Sequence, residues 1–242
     1  MLMAGAFVAS ARGKAKAPAA ADVKKAEYVY LEASNARNEG RLDDYYMLLR
    51  RAAALNPTDP YIDGSLAEIE LSMTNDSLMV EDAYRRLARR FDVSPAEQAY
   101  YVPYVNVARF LGRTDDLVAV WSRLDSLMPS RTDPAMELAG ALLARYNKTT
   151  DRADFDRAIA IYDRLESSLG PTLPVTAQKV RAFTQRKDTL VTEAALLALA
   201  KAAPGDVDAN IFVGQVFDYL EKPDSALFYF DRAEAADTTD GT

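Results

Sequence analysis

Apolar residues recur along this chain in triplets spaced i, i+4 and i+7, and residues at that spacing share one face of a helix. The first members of successive triplets stand 34 residues apart, except at two longer intervals of 38 and 41. The triplets are Tyr45/Leu49/Ala52, Ala83/Leu87/Arg90, Leu117/Trp121/Leu124, Ala158/Tyr162/Leu165, Thr192/Leu196/Leu199 and Ala226/Phe230/Ala233. This period constrains the fold more than any other feature, since it predicts a series of similar helical units.

A second column of small or β-branched residues precedes each triplet with the same period. Its members are Ala33, Ala67, Val105, Ala139, Val180 and Gly214. Small side chains let two helices approach closely, so each unit is predicted to be a pair of antiparallel helices. The extra residues fall around 73–77 and 147–154, where we expect longer surface loops. No stretch alternates with the period of two that a strand requires.

A 34-residue helix–turn–helix period resembles the tetratricopeptide repeat family, and the resemblance covers residues 22–237. The best match lies in residues 26–57. It rests on Ala33, Ala36, Gly40, Leu42, Ala52 and Leu55-Asn56-Pro57. The resemblance implies an all-α, right-handed superhelical solenoid of about six antiparallel helical hairpins. Residues 1–21 would precede this repeat domain, and residues 238–242 would form a short C-terminal tail.

The composition excludes several classes of function. The chain has no histidine and no cysteine, which removes Ser-His and Cys-His nucleophile pairs and Cys/His zinc sites. The chain has a net charge of −7 and therefore lacks the excess of basic residues that most nucleic-acid-binding proteins have. No glycine-rich phosphate loop is present. We therefore expect a protein without catalytic activity, cofactor or metal, and without a nucleic-acid partner.

The N-terminal segment has features of an export signal. Residues 2–11 form an apolar run that is too short to span a bilayer but has the length of a signal-peptide core. Ala9-Ser10-Ala11 has the small residues that signal peptidase selects, although no basic residue precedes the run. Together with the irregular repeats, this segment resembles extracytoplasmic tetratricopeptide proteins of Gram-negative bacteria. The expected location is periplasmic or otherwise extracytoplasmic, and cytoplasmic if the segment is not a signal.

Two local signals concern the third repeat. Ser94-Pro95-Ala96-Glu97 matches a helix start, with a capping serine, a proline at the first helical position and a glutamate three residues later. Pro103 lies nine residues after Ser94, where a proline would remove a hydrogen bond from a helix interior. The sequence therefore predicts a kink or a late helix start in this repeat.

The resemblance implies that the first helices of the hairpins line a concave surface that binds a protein or peptide partner. Arginine and amide side chains there could bond a partner backbone or carboxylate, and exposed aromatic residues could anchor it. The predicted binding residues are Tyr30, Arg37, Asn38, Asn106, Arg109, Phe110, Gln178, Arg181, Phe212, Gln215 and Tyr219.

Two alternatives to a binding scaffold stay open. One is a carbohydrate-active enzyme with two carboxylates, such as Glu32 and Glu68, converging in a deep pocket. The other is a purely structural assembly module. The final helix is apolar on several sides, through Leu227, Phe228, Tyr229 and Phe230. We therefore expect that either further repeats or another chain covers this end, the second by self-association through the C-terminal repeat.

Aspartate followed by serine or threonine occurs five times in a form similar to acceptors of a bacterial periplasmic O-glycosylation system. The possible acceptors are Ser77, Ser126, Thr189, Ser225 and Thr238. The same dipeptides are also common helix caps. Capping and glycosylation are therefore both compatible with these positions.

Intact mass spectrometry of the protein from its native host tests the export hypothesis. Cleavage after Ala11 would give a mature chain that begins at Arg12, and modification of the five acceptors would add hexose units to its mass. A mass that includes residues 1–11 would contradict export, and a mass without hexose would contradict glycosylation.

Overall fold

A computed structural model describes residues 17–73 and 76–239, and this part of the chain contains twelve α-helices and no strand. The all-α prediction is therefore confirmed. The helices are α1 (Ala20–Asn38), α2 (Leu42–Leu55), α3 (Pro60–Met73), α4 (Ser77–Val93), α5 (Gln98–Phe110), α6 (Thr114–Leu127), α7 (Thr132–Thr149), α8 (Arg152–Leu169), α9 (Leu173–Gln185), α10 (Thr189–Ala202), α11 (Val207–Tyr219) and α12 (Pro223–Thr239). None of these described helices combines the length and apolar character needed to cross a bilayer.

The helices form two compact units, of which the first ends at Leu111 and the second begins at Gly112. In the first unit, α1 pairs with α2 and α3 pairs with α4, while α2 packs on α3 and α4 packs on α5. In the second unit, α6 packs on α7, and the pairs are α7 with α8, α9 with α10, and α11 with α12. The first helix α9 also contacts the first helices α7 and α11, so these three helices share one face of this unit.

Burial follows the predicted columns. All six members of the small-residue column are buried. The central triplet positions Leu49, Leu87, Tyr162 and Leu196 are at most 1% exposed. The last repeat differs, because Phe230 is 38% exposed and only part of its ring packs inward. Its ring packs against Gly214 of α11, and no other described helix covers its outer side.

The turns within the hairpins share one backbone feature. Each described turn from a first helix to its second helix contains one residue with positive φ, between 58° and 75°. These residues are Gly40, Gly112, Thr150, Lys187 and Glu221. At three of them the next backbone N–H donates to a carbonyl five residues earlier, as in Arg41 to Ala36. This is the Schellman arrangement, which satisfies carbonyls at the end of the first helix.

The extra residues of the fourth hairpin lengthen its helices rather than a loop. Helix α7 continues to Thr149, and α8 begins at Arg152 after the cap Asp151, whose carboxylate accepts from the backbone N of Ala153 at 3.0 Å. Arg145 binds Asp154 through two 2.7 Å hydrogen bonds and joins the two extended ends. The expected loop around 147–154 is therefore wrong, because capping and this ion pair stabilise the added turns.

The helix start predicted at Ser94 is wrong. Ser94 ends α4, and α5 begins at Gln98, so the late start predicted from Pro103 is confirmed. Pro103 lies inside α5 and leaves the carbonyl of Ala99 without its helical donor. Arg90 Nη2 donates to that oxygen at 2.8 Å, which replaces the missing hydrogen bond.

Arg90 occupies the third position of an otherwise apolar triplet, and this charged residue is only 2% exposed. Its guanidinium forms an ion pair with Glu68 of α3 and lies 5.5 Å from the ring centroid of Tyr100. Space for the side chain comes from Gly64, where an added Cβ would lie 2.6 Å from Arg90 Nε. A buried arginine therefore joins α3, α4 and α5, and a glycine in mid-helix accommodates it.

The substitution Gly64→Ala tests this packing. Alanine favours helix over glycine by about 1 kcal/mol, but overpacking of a well-filled interior costs about 1–3 kcal/mol. Because Arg90 is held by Glu68 and Ala99, we expect a net loss in the free energy of unfolding, measured by urea titration with far-UV circular dichroism.

Gly140→Ala is the matched control for this measurement. Gly140 also lies within a helix, but an added Cβ would meet no atom within 4 Å. We expect this variant to be as stable as the parent or up to about 1 kcal/mol more stable. Equal stability of the two variants would show that Arg90 can move aside without cost.

Candidate functional site

The shared face of α7, α9 and α11 carries two adjoining cavities, which together we call the first-helix groove. The first cavity, of about 290 Å³, lies between α9 and α11. Its walls are mainly apolar and include Val180, Phe212, Val216 and Tyr219. The second, of about 270 Å³, lies between α7 and α9 and includes Asn147 and Gln178. The groove is thus apolar at one end and more polar at the other.

One wall of the apolar cavity packs against the core, and the other side of the cavity is open to solvent. Phe212 and Val216 are half-buried and pack against the core around Leu199 and Val213. Tyr219, at the C-terminal end of α11, is 71% exposed. Phe212 and Val216 therefore form a fixed wall, and the Tyr219 ring is available to a partner at the rim.

Arg181 lies on α9 between the two cavities and lines both of them, as does Gln185. It is the only charged residue that lines either cavity in the described part of the chain. No ion pair or side-chain hydrogen bond joins Arg181 to another described residue, whereas Lys179 on the same helix binds two carboxylates. The groove therefore offers one arginine able to bind a partner carboxylate or carbonyl.

Five of the predicted binding residues come together in this groove: Gln178, Arg181, Phe212, Gln215 and Tyr219. Other lining residues were not in the predicted set. They are Gly140, Leu143, Ala144, Asn147, Ala177, Val180, Ala182, Thr184 and Val216. The small residues at 140, 144 and 177 leave the space, but they do not occupy equivalent repeat positions, so the period gave no signal for them.

The other six predicted residues lie in the first unit, and two of them make structural contacts there. The Tyr30 hydroxyl lies 3.3 Å from Ser65 Oγ, and its ring meets Tyr61 edge-on. Burial raises the pKa of Tyr30 to about 12, so the phenol stays neutral. The guanidinium of Arg37 lies 5.6 Å from the ring centroid of Tyr45. Tyr30 therefore packs between α1 and α3 of neighbouring hairpins, and Arg37 packs on α2 within its own hairpin.

The remaining predicted residues of the first unit are on the surface. Asn38 is the last residue of α1 and is exposed, as are Asn106 and Arg109 on α5. Phe110, the last residue of α5, is 83% exposed. Their part in binding stays a prediction.

Glu68, one of the carboxylates considered for an enzyme, is held in the ion pair with the buried Arg90. This contact favours a structural role for Glu68.

Two of the possible glycosylation acceptors follow aspartates that cap helices. Ser77 is the first residue of α4, and Asp76 accepts from the backbone N of Leu78 at 2.8 Å. Thr189 is the first residue of α10, and Asp188 accepts at 3.4 Å from the backbone N of the third helical residue. The aspartates are thus accounted for by capping, while both hydroxyl-bearing residues are exposed.

The other possible acceptors lie in helices. Ser126 is exposed near the end of α6 and donates to the carbonyl of Ser122 at 2.9 Å. Ser225 is the third residue of α12 and is half-buried. The side chain of Thr238 lies outside the described residues, as does the segment 1–16 that contains the predicted cleavage site. Glycosylation therefore stays a prediction.

Comparison with solved structures identifies the fold. A tetratricopeptide repeat protein from Parabacteroides merdae matches with a TM-score of 0.56 at 12% identity, over 88% of this chain and 80% of that chain. A fragment of MamA from Desulfovibrio magneticus matches over 90% of this chain and 98% of that chain, at 9% identity and a TM-score of 0.43, which adds nothing further. No protein-family model matches the chain, and no curated protein matches its sequence. The chain thus has a tetratricopeptide-type repeat fold, as the resemblance implied.

Proposed function

We propose that this repeat protein is a non-catalytic scaffold that binds a protein or peptide segment in the first-helix groove. The observation that carries the proposal is the position of Arg181, an arginine without a carboxylate partner that borders an apolar cavity of about 290 Å³. A partner would place an apolar side chain between Phe212 and Tyr219. An acidic side chain or chain terminus would then bind Arg181.

The physical basis is the combination of one apolar anchor with one charge-assisted contact. Aromatic and aliphatic anchors in a pocket provide most of the affinity in many interfaces. A hydrogen bond to a charged group adds about 1.5–3 kcal/mol when it is shielded from water. Amide groups of Gln178, Gln185 and Gln215 lie along the groove and can bond an extended or helical backbone. None of these groups needs a cofactor.

The proposed location is outside the cytoplasm of a bacterial cell. It is supported by the apolar run of residues 2–11 and by the small residues at Ala9 and Ala11. A partner in that compartment would be an exported protein or the periplasmic segment of a membrane protein.

Selection from a random displayed peptide library on the parent protein tests the groove. We expect the selected peptides to pair an aromatic or aliphatic residue with a nearby acidic residue. Arg181→Glu should weaken their binding about ten-fold or more, because a favourable charge contact becomes repulsive. Tyr219→Ala should weaken binding through loss of the exposed ring, and fluorescence anisotropy measures both effects.

Two variants outside the groove are the controls. Arg51→Glu makes the same charge change at an exposed site on α2, and Tyr28→Ala removes a ring that is 62% exposed on α1. Both should bind the selected peptides like the parent. Peptides that bind Arg181→Glu and Tyr219→Ala as tightly as the parent would place the binding surface elsewhere.

A further inference from the structure

The exposed side of α12 is a second partly apolar surface, separate from the first-helix groove. Leu227 is 60% exposed and Phe230 is 38% exposed, and they lie on one side of the helix with Asp231 and Glu234. We call these four residues the α12 end face. The positions equivalent to Phe230 in earlier repeats, such as Tyr162 and Leu196, are at most 1% exposed. This face is therefore of the kind that another helix covers elsewhere in the chain.

Helix α8 shows what covers such a face. The triplet Ala158/Tyr162/Leu165 precedes Ala226/Phe230/Ala233 by 68 residues, which is two periods, so Asp163 corresponds to Asp231 and Glu166 to Glu234. The α8 side is covered by α9, the first helix of the next hairpin. Helices α8 and α12 therefore carry the same acidic pair on the same side of an aromatic residue.

Lys179 of α9 binds both acids of α8. Its Nζ lies 2.6 Å from an oxygen of Asp163 and 2.7 Å from an oxygen of Glu166, and the lysine side chain is only 14% exposed. Thr176 Oγ1 lies 3.2 Å from the other oxygen of Glu166. Burial acts to lower the pKa of Lys179, but the bonds to both carboxylates outweigh it and raise the pKa. This junction thus places one half-buried lysine between the two acids of the neighbouring helix.

Asp231 and Glu234 have the same geometry on their helix, and no hydrogen bond or ion pair joins either side chain to another described residue. Both are exposed. From the exposed apolar residues and the repeated acidic pair together, we infer that the α12 end face binds an amphipathic helix of a partner protein that presents a lysine in the place of Lys179.

A second copy of this chain fits the face poorly. In α1, Ala33 corresponds to Val180, so Glu32 stands in the place of Lys179. Stacking α1 of one copy on α12 of another would bring Glu32 against Asp231 and Glu234. Contact between two α12 end faces would also bring acids together. Like charges in an interface oppose association, so the partner is a different helix of opposite charge.

A peptide copy of α9 is the probe for this interface. A helix-stabilised, acetylated and amidated peptide of residues 171–186 carries the lysine and the apolar residues that cover α8. We expect it to bind the full chain at low ionic strength. We also expect Asp231→Lys/Glu234→Lys to weaken that binding at least ten-fold in fluorescence anisotropy, and the peptide with Lys179→Glu to regain affinity for this charge-reversed variant.

The double variant Glu27→Lys/Asp218→Lys is the matched control, because it makes the same change in net charge at two other exposed positions. It should bind the α9 peptide like the parent, and far-UV circular dichroism should show equal helicity in all three proteins. Equal binding of the peptide to parent and Asp231→Lys/Glu234→Lys would overturn the inference, as would no binding to the parent. Sedimentation equilibrium showing self-association that Asp231→Lys/Glu234→Lys abolishes would assign the face to a second copy and would equally overturn it.

Discussion

A hairpin of two short helices has more apolar surface than it can cover by itself, and this constraint governs the whole structure. Within each hairpin, small residues such as Ala33 and Ala139 let the paired helices approach, and both are fully buried. Between hairpins, large residues such as Leu49 and Tyr162 need a neighbouring helix to exclude water from them. Stability therefore comes from stacking, and each unit depends on the neighbour that covers it.

Polar contacts specify how neighbours stack where apolar contacts alone would permit sliding. The ion pairs of Arg90 with Glu68 and of Lys179 with Glu166 each connect different helices at a fixed point along their length. Replacing a buried ion pair by apolar residues is often neutral for stability, whereas removing one partner of the pair is costly. The first pair joins α3 to α4, and the second joins α8 to α9.

The sequence was sufficient to predict the helical hairpins because periodic burial is a local and repeated signal. It failed where a contact depends on residues far apart in the chain. Nothing local to Pro103 shows that Arg90 would supply a hydrogen bond to the carbonyl that it frees. Only part of the groove could be predicted, for the same reason. Exposed polar residues such as Arg181 can be recognised on a helix, but the space beside them arises where α7, α9 and α11 meet.

The positive-φ residue in the described hairpin turns has a consequence for how such chains change over evolutionary time. The turn reverses the chain through backbone hydrogen bonds, and it accepts glycine at Gly40 but also threonine, lysine and glutamate at later turns. Because backbone atoms form the reversal, few side chains are obligatory there. Most turn positions can then drift as long as size and polarity are kept, so the hairpin tolerates wide change in its sequence without loss of its turn.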